Sequence, residues 1–101
     1  MNNIEIITNH KRKISNHQLR DYLKNLDLKE VKDFIINIDN KLMLSSTIAN
    51  IIEVYTYINN YNTEFNKNIK LKIKNVNKTG IHTLKITGLY NKIENLIIES
   101  T

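Results

Sequence analysis

The stretch VKDFIINI, residues 31–38, sets the centre of the predicted fold. Phe34, Ile35, Ile36 and Ile38 make it almost continuously apolar, which is typical of a strand that is covered on both faces. We therefore predict a central strand here and assign the rest of the chain around it.

A helix is predicted on the amino-terminal side of this strand, over residues 16–26. Ser15 and Gln18 have the spacing of a capping box, and Ile14 and Leu19 have that of a hydrophobic staple. Apolar residues then recur at the i, i+3, i+4 and i+7 spacing of a helix that buries one stripe. They are Leu19, Tyr22, Leu23 and Leu26.

A second amphipathic helix is predicted on the carboxyl-terminal side, over residues 42–58, followed by an Asn-rich connector over 59–68. Residues 4–8 read as a short buried strand. Ile69, Leu71 and Ile73 alternate with lysines, which indicates a half-buried strand. A turn over 75–80 and a return strand over 83–87 would complete a hairpin.

The predicted order is therefore β-α-β-α-β-β. We expect an α+β sandwich, with a mixed four-stranded sheet and two helices packed on one face. The length predicts a single domain over residues 1–101, with its core over about 4–90. For the tail, 91–101, a helical turn and an added strand are both compatible with the pattern.

Composition favours an acidic partner. The net charge is +5, the isoelectric point is about 9.5, and such a surplus attracts nucleic acid or an anionic membrane. A generally lysine-rich surface explains the charge equally well, and the abundance of Asn, Ile and Lys also fits AT-rich coding. Cysteine is absent, and neither a secretory signal nor a membrane-spanning run is visible, so we expect an intracellular protein.

No motif points to catalysis. His10, His17 and His82 have neither metal-ligand spacing nor a catalytic partner, and no paired carboxylates or phosphate-cradling Gly-rich loop occurs. We predict a protein that is not an enzyme and needs no cofactor or metal.

The segment before the first helix is the strongest candidate site. Lys11, Arg12 and Lys13 lie in a stretch without acidic residues that leads into a helix amino terminus, where free N–H groups favour phosphate. Arg12 offers bidentate contacts and the lysines offer mobile charges. The alternative is a solvated loop that happens to be basic.

This segment, with the order of elements, resembles the Alba family of chromatin and RNA-binding proteins. Lys11 and Arg12 fall on the family's basic pair, Asn16 falls on an Asn that opens its first helix, and Leu44-Ser45 is similar to its Ile-Ser pair. The resemblance covers residues 4–90. It departs from the family between the second strand and the second helix, where only Lys41 supplies charge.

The resemblance implies a homodimer, or a heterodimer with a related Alba-like chain, that binds DNA, RNA or both. Lys74 and Lys78, near the predicted hairpin tip, join the candidate contacts, although alternating lysines also keep a strand face soluble. We therefore predict a nucleic-acid-binding protein of the nucleus, the cytoplasm or both, which contacts phosphate backbone with low sequence specificity. The alternative is a protein-interaction subunit that forms a heterodimer in a ribonucleoprotein of the ribonuclease P or MRP type.

Overall fold

A computed structural model describes residues 3–8, 15–38, 45–92 and 96–99, the last of these as backbone only. Strands and helices alternate through the chain, with two short helices before the final strand. The elements are β1 Asn3–Thr8, α1 Asn16–Lys24, β2 Asp33–Ile38, α2 Ser45–Phe65, β3 Lys70–Lys74, α3 Lys78–Ile86, α4 Leu89–Lys92 and β4 Leu96–Glu99.

The four strands form one sheet in the order β1-β2-β3-β4, and every neighbouring pair is parallel. In register, Ile6 pairs with Ile36, Ile36 with Ile73, and Ile73 with Ile98. The predicted α+β combination of one sheet with helices is confirmed. The prediction of a mixed sheet is wrong, because one or more helices lie between each strand and the next and return the chain to the edge of the sheet at which the previous strand began.

One face of the sheet carries the hydrophobic core. Alternate residues of β1, β2 and β3 pack there with the buried residues of the helices, including Leu23 of α1, Val54 of α2 and Leu84 of α3. Parallel neighbours joined in one direction by right-handed crossovers put every connecting helix on the same face. The strand residues in this core are Ile6, Phe34, Ile36, Ile38, Leu71 and Ile73.

The predicted start of α1 is confirmed. Ser15 Oγ accepts a hydrogen bond from the Gln18 backbone N–H, and Gln18 Oε1 accepts one from the Ser15 N–H, both at 3.2 Å. This reciprocal capping box satisfies two backbone donors that the first turn leaves unpaired. Leu19 and Leu23 are fully buried, but Tyr22, expected in the core, is 43% exposed.

Helix α2 is longer than predicted and includes most of the expected connector. It ends at Phe65, and Asn66 follows with a φ of 51°, a left-handed conformation that Asn tolerates well at a helix end. The side chain of Asn62 then joins α2 to β3. Its amide donates to the Ile69 carbonyl at 3.1 Å and accepts from the Ile69 N–H at 2.9 Å.

The predicted hairpin is wrong, because residues 78–86 form helix α3 rather than a turn and a return strand. Asn77 caps this helix by accepting a hydrogen bond from the Gly80 N–H at 2.8 Å. The apparent alternation of Leu84 and Ile86 does not reflect burial, since Leu84 is buried while Ile86 is 71% exposed. The fourth strand lies instead in the segment predicted as a tail, at residues 96–99.

Candidate nucleic-acid interface

Most of the sequence candidates lie outside the described residues. They are Lys11, Arg12, Lys13 and Lys41. In the sequence, strands β1 and β2 precede them and helices α1 and α2 follow them. Asn16, a further candidate, is the first residue of α1 and is half-buried. Ligands of open parallel sheets commonly bind at the carboxyl ends of the strands.

Lys74 is placed at the end of β3, and its charge is partly neutralised. Its Nζ lies 3.6 Å from Glu5 Oε1, across β2 on the sheet face opposite the core. Lys72 is paired in the same way, with Asp33 Oδ2 at 3.5 Å. Lys72 and Lys74 therefore face carboxylates already in the free protein, which weakens their attraction for phosphate, whereas Lys70 at the start of β3 is in none of the described ion pairs.

Lys78 has different surroundings. It is the first residue of α3, and its side chain is exposed. None of the ion pairs found among the described residues involves it. Of the two lysines predicted near the supposed hairpin tip, the structure thus presents Lys78 to solvent as a cation and holds Lys74 beside an acid.

The lysine surplus is concentrated in one part of the chain. Residues 67–92 contain seven lysines and no Asp or Glu, whereas residues 1–66 contain eight basic and eight acidic residues. Five of these seven lysines are exposed and take part in none of the described ion pairs. They are Lys67, Lys70, Lys78, Lys85 and Lys92.

Helix α3 displays part of this charge along one side. Lys78, His82 and Lys85 follow one another at i+4 and i+3, and all three are exposed. Residues at these spacings lie on the same helix face. Lys85 Nζ also lies 5.1 Å from the ring centroid of Tyr90 in α4. This cation–π contact holds the ammonium over the short turn between the two helices.

A second group of lysines surrounds a shallow cavity of about 430 Å³ at the amino edge of the sheet. The cavity lies where β2 and β3 begin, and Lys32, Lys67 and Lys70 contribute to its wall together with Asn68 and Asp33. Asp33 is engaged with Lys72, so the lysines outnumber the carboxylates at this cavity. Such an arrangement favours an anionic group.

Buried polar side chains also mark the carboxyl edge. Thr8 is the last residue of β1, and Thr47 and Asn50 lie in the first two turns of α2. Among the described residues, the buried Thr8 hydroxyl has no hydrogen-bond partner. A buried hydroxyl that stays unpaired costs about 1–3 kcal/mol.

The histidines do not form a catalytic or metal-binding arrangement among the described residues. His17 Nε2 lies 3.6 Å from Asp21 on an exposed helix face, and His82 is exposed on α3. In the described part of the chain, no group of three or more His, Cys, Asp or Glu is close enough to hold a metal. There, too, no helix combines the length and apolarity needed to cross a bilayer.

Two features escaped the sequence interpretation although a signal for each was present. Asn77, three residues before Gly80, marks the start of α3, but the lysine alternation of β3 suggested a strand that turns back. A count of charge along the chain, rather than over the whole of it, would have identified residues 67–92 as the basic region.

Comparison with known proteins adds no relative. No protein-family model matches the chain, and no curated protein or solved structure matches it significantly.

Proposed function

We propose that this chain is a non-enzymatic nucleic-acid-binding protein that acts inside the cell, in the nucleus, the cytoplasm or both. It contacts the phosphate backbone of DNA or RNA through lysine and arginine, with low sequence specificity. The observation that carries this proposal is the acid-free region of residues 67–92, with five exposed lysines outside the described ion pairs. Such cations release counterions from a nucleic acid, which is the main source of nonspecific affinity.

The shape of the basic region supports backbone contact rather than base reading. Its lysines lie on a helix face, on α4 and around a shallow cavity. Lysine is a flexible point charge and lacks the rigid planar fork of arginine. The ammonium of Lys85 already lies over the ring of Tyr90, so that face of the ring is not free to stack on a base.

The resemblance to the Alba family supports the proposal through the first five elements. The order β1-α1-β2-α2-β3 agrees with the family order, and the matched residues Lys11, Arg12 and Asn16 belong to this part. Beyond β3, the chain has two helices and a parallel strand in place of the expected hairpin. The proposal of backbone binding therefore does not depend on the predicted hairpin.

A dimer, either with itself or with a related Alba-like chain, forms part of the proposal, because two copies would double the charge presented to one nucleic acid. If each protomer neutralises about three phosphates, the slope of log K against log salt is about −5 on duplex DNA. A monomer with the same contacts would have a slope of about −2.7. The slope therefore reports on the oligomer as well as on the contacts.

The test is a salt titration of binding to duplex DNA, duplex RNA and single-stranded RNA of equal length. Three double variants remove the same net charge from different places: K78Q/K85Q from α3, K67Q/K70Q from the amino-edge cavity, and K24Q/K29Q from the exposed surface of residues 24–29. We expect at least one of the first two to flatten the duplex slope by about 3.6 for a dimer, in which both protomers lose the two lysines, or by about 1.8 for a monomer. The K24Q/K29Q control should leave it within error of wild type.

Equal losses in all three variants would contradict the proposal, because affinity would then follow net charge rather than a site. Binding that does not depend on salt would also contradict it. The variant K11A/R12A extends the test to the segment outside the described residues, where we expect weaker binding and a flatter slope.

A second candidate function is a protein-interaction subunit of a ribonucleoprotein, paired with a related chain. The observation that favours it is the sheet face opposite the core, which no described helix covers and where Ile7, paired with Asn37 of β2, is 53% exposed. Gel filtration and RNA binding of the isolated chain distinguish the two. A lone chain that binds RNA only after a partner is added favours this second function.

A further inference from the structure

We infer that the outer edge of β1 and the acidic cavity beside it form a docking site for an extended basic peptide, which adds to the sheet as a further strand. This site lies away from the lysines of the proposed nucleic-acid interface and does not depend on that function.

The first observation is the position of β1. It is the first strand in the sheet order, and among the described strands it pairs with β2 alone. The backbone groups on its other side therefore have no described strand as a partner. Proteins usually protect such an edge with lysine, proline or a bulge, and the β1 sequence NIEIIT contains neither lysine nor proline.

The second observation is a cavity of about 450 Å³ that opens beside this edge. It lies between β1, represented by Ile4, and the end of α1 with the segment that follows, represented by Tyr22 and Leu26. Tyr22 belongs to the apolar stripe of α1 yet is 43% exposed, because α1 reaches the limit of the sheet here. A strand placed next to β1 would cover this ring.

The third observation is the charge of the cavity. Glu5, Asp27 and Glu30 contribute to its wall, and no lysine or arginine does. Glu5 already contacts Lys74 and Asn37. Glu30 and the second oxygen of Asp27, whose Oδ1 accepts the Lys29 N–H, are therefore the carboxylate groups that meet a ligand.

Together these features specify the side chain that fits. The apolar wall suits the stem of an arginine or lysine, and the carboxylates suit its charged head, as in side chains that cover apolar surface with their methylenes. Residues of an added strand alternate between the two faces of the sheet. One set would enter the cavity, and the other would lie beside the exposed Ile7. The preferred peptide therefore alternates basic and apolar residues.

A second copy of this chain does not fit the site through its own β1. Pairing β1 with a second β1 would bring two Glu5 residues and two acidic cavities close together, and β1 has no basic residue to offset them. A second β1 is therefore excluded as the occupant, and the site is assigned to a basic peptide. The chain's net charge of +5 repels a basic peptide, so binding of such a peptide would report the local acidic site.

The experiment measures fluorescence anisotropy of a labelled eight-residue peptide of alternating arginine and valine, in the absence of nucleic acid. The double variant D27N/E30Q should lower its affinity about tenfold, a loss of two charge pairs. The fold is preserved in this variant because Asn at 27 keeps the oxygen that accepts the Lys29 N–H at 3.1 Å. The control D21N/E64Q removes the same charge from exposed positions outside the cavity.

Two further peptides complete the test. A peptide of alternating glutamate and valine should not bind, and a basic peptide with a central proline should bind much more weakly because proline cannot donate to a strand ladder. Amide hydrogen exchange of residues 3–8 should slow when the parent peptide is bound. Equal losses in the two double variants, undiminished binding of the proline peptide, or unchanged exchange in β1 would each overturn the inference.

Discussion

The lysines of β3 and those of α3 belong to the same acid-free region, yet their surroundings differ. Lys72 and Lys74 lie on the open face of the sheet, each within 4 Å of a carboxylate, Asp33 on the adjacent β2 for Lys72 and Glu5 on β1 for Lys74. Lys78 and Lys85 project from a helix, and no described acid pairs with them. Charge counted along the sequence is therefore a poor guide to a site, because the parallel register decides which lysines meet acids.

Contacts other than the ion pairs of Lys72 and Lys74 hold β3 in place. Asn62 makes two hydrogen bonds to the backbone of Ile69, which is almost fully buried at the start of β3. We expect N62A to lower the free energy of unfolding by about 2 kcal/mol, since it leaves a buried donor and acceptor unpaired. Urea denaturation measures this loss.

The control for N62A is N59A, in the same helix but exposed, which should lose much less. A loss for N62A below about 0.5 kcal/mol would mean that the bridge to β3 is not an important contact.

Removing the carboxylates that pair with Lys72 and Lys74 tests most directly whether ion pairing separates these lysines from those of α3. The double variant E5Q/D33N leaves Lys72 and Lys74 without their partners. We expect its affinity for single-stranded RNA to rise about fivefold, the equivalent of about 1 kcal/mol, because the freed cations then compete for phosphate.

The matched variant D21N/E64Q makes the same change in net charge at exposed positions that form none of the described ion pairs with a lysine, and should raise affinity less. If both variants raise affinity equally, pairing with acids is not what separates the β3 lysines from those of α3.

The smallest expected effect is that of K72Q alone. The Lys72–Asp33 pair is partly exposed, and such pairs contribute between about 0 and 1 kcal/mol. We expect a loss of stability below about 1 kcal/mol, by thermal or urea denaturation, and no change in the salt slope of nucleic-acid binding. A flatter slope for K72Q would show that phosphate reaches the open sheet face despite Asp33.

Local signals predicted the first half of the fold well. The capping box at Ser15 and Gln18 and the apolar run 34–38 depend on interactions within a few residues, so the sequence pattern contains them. Strand direction, in contrast, does not depend on interactions within a few residues. A helix between two strands allows several topologies, and only the packing of the whole sheet selects the all-parallel one.

The prediction for the second half of the fold failed for a physical reason. Leu84 and Ile86 alternate like strand residues, but α3 buries Leu84 against the core and leaves Ile86 in solvent. Two apolar residues are too few to separate a period of two from a period of 3.6. The exposure of Tyr22 could not be predicted from the helix pattern either, because it depends on where the sheet ends. Of the candidate site, Lys78 was placed as an exposed cation, and Lys74 was found beside Glu5.

The sequential strand order also bears on how the protein is made. Each strand pairs with the strand that precedes it in the chain, so β1 and β2 can join as soon as both have left the ribosome. Later units then add to an existing edge without inserting between strands already paired. During synthesis, which delivers the amino-terminal part first, the order of emergence is also the order of assembly, and no early strand waits unpaired for a distant partner.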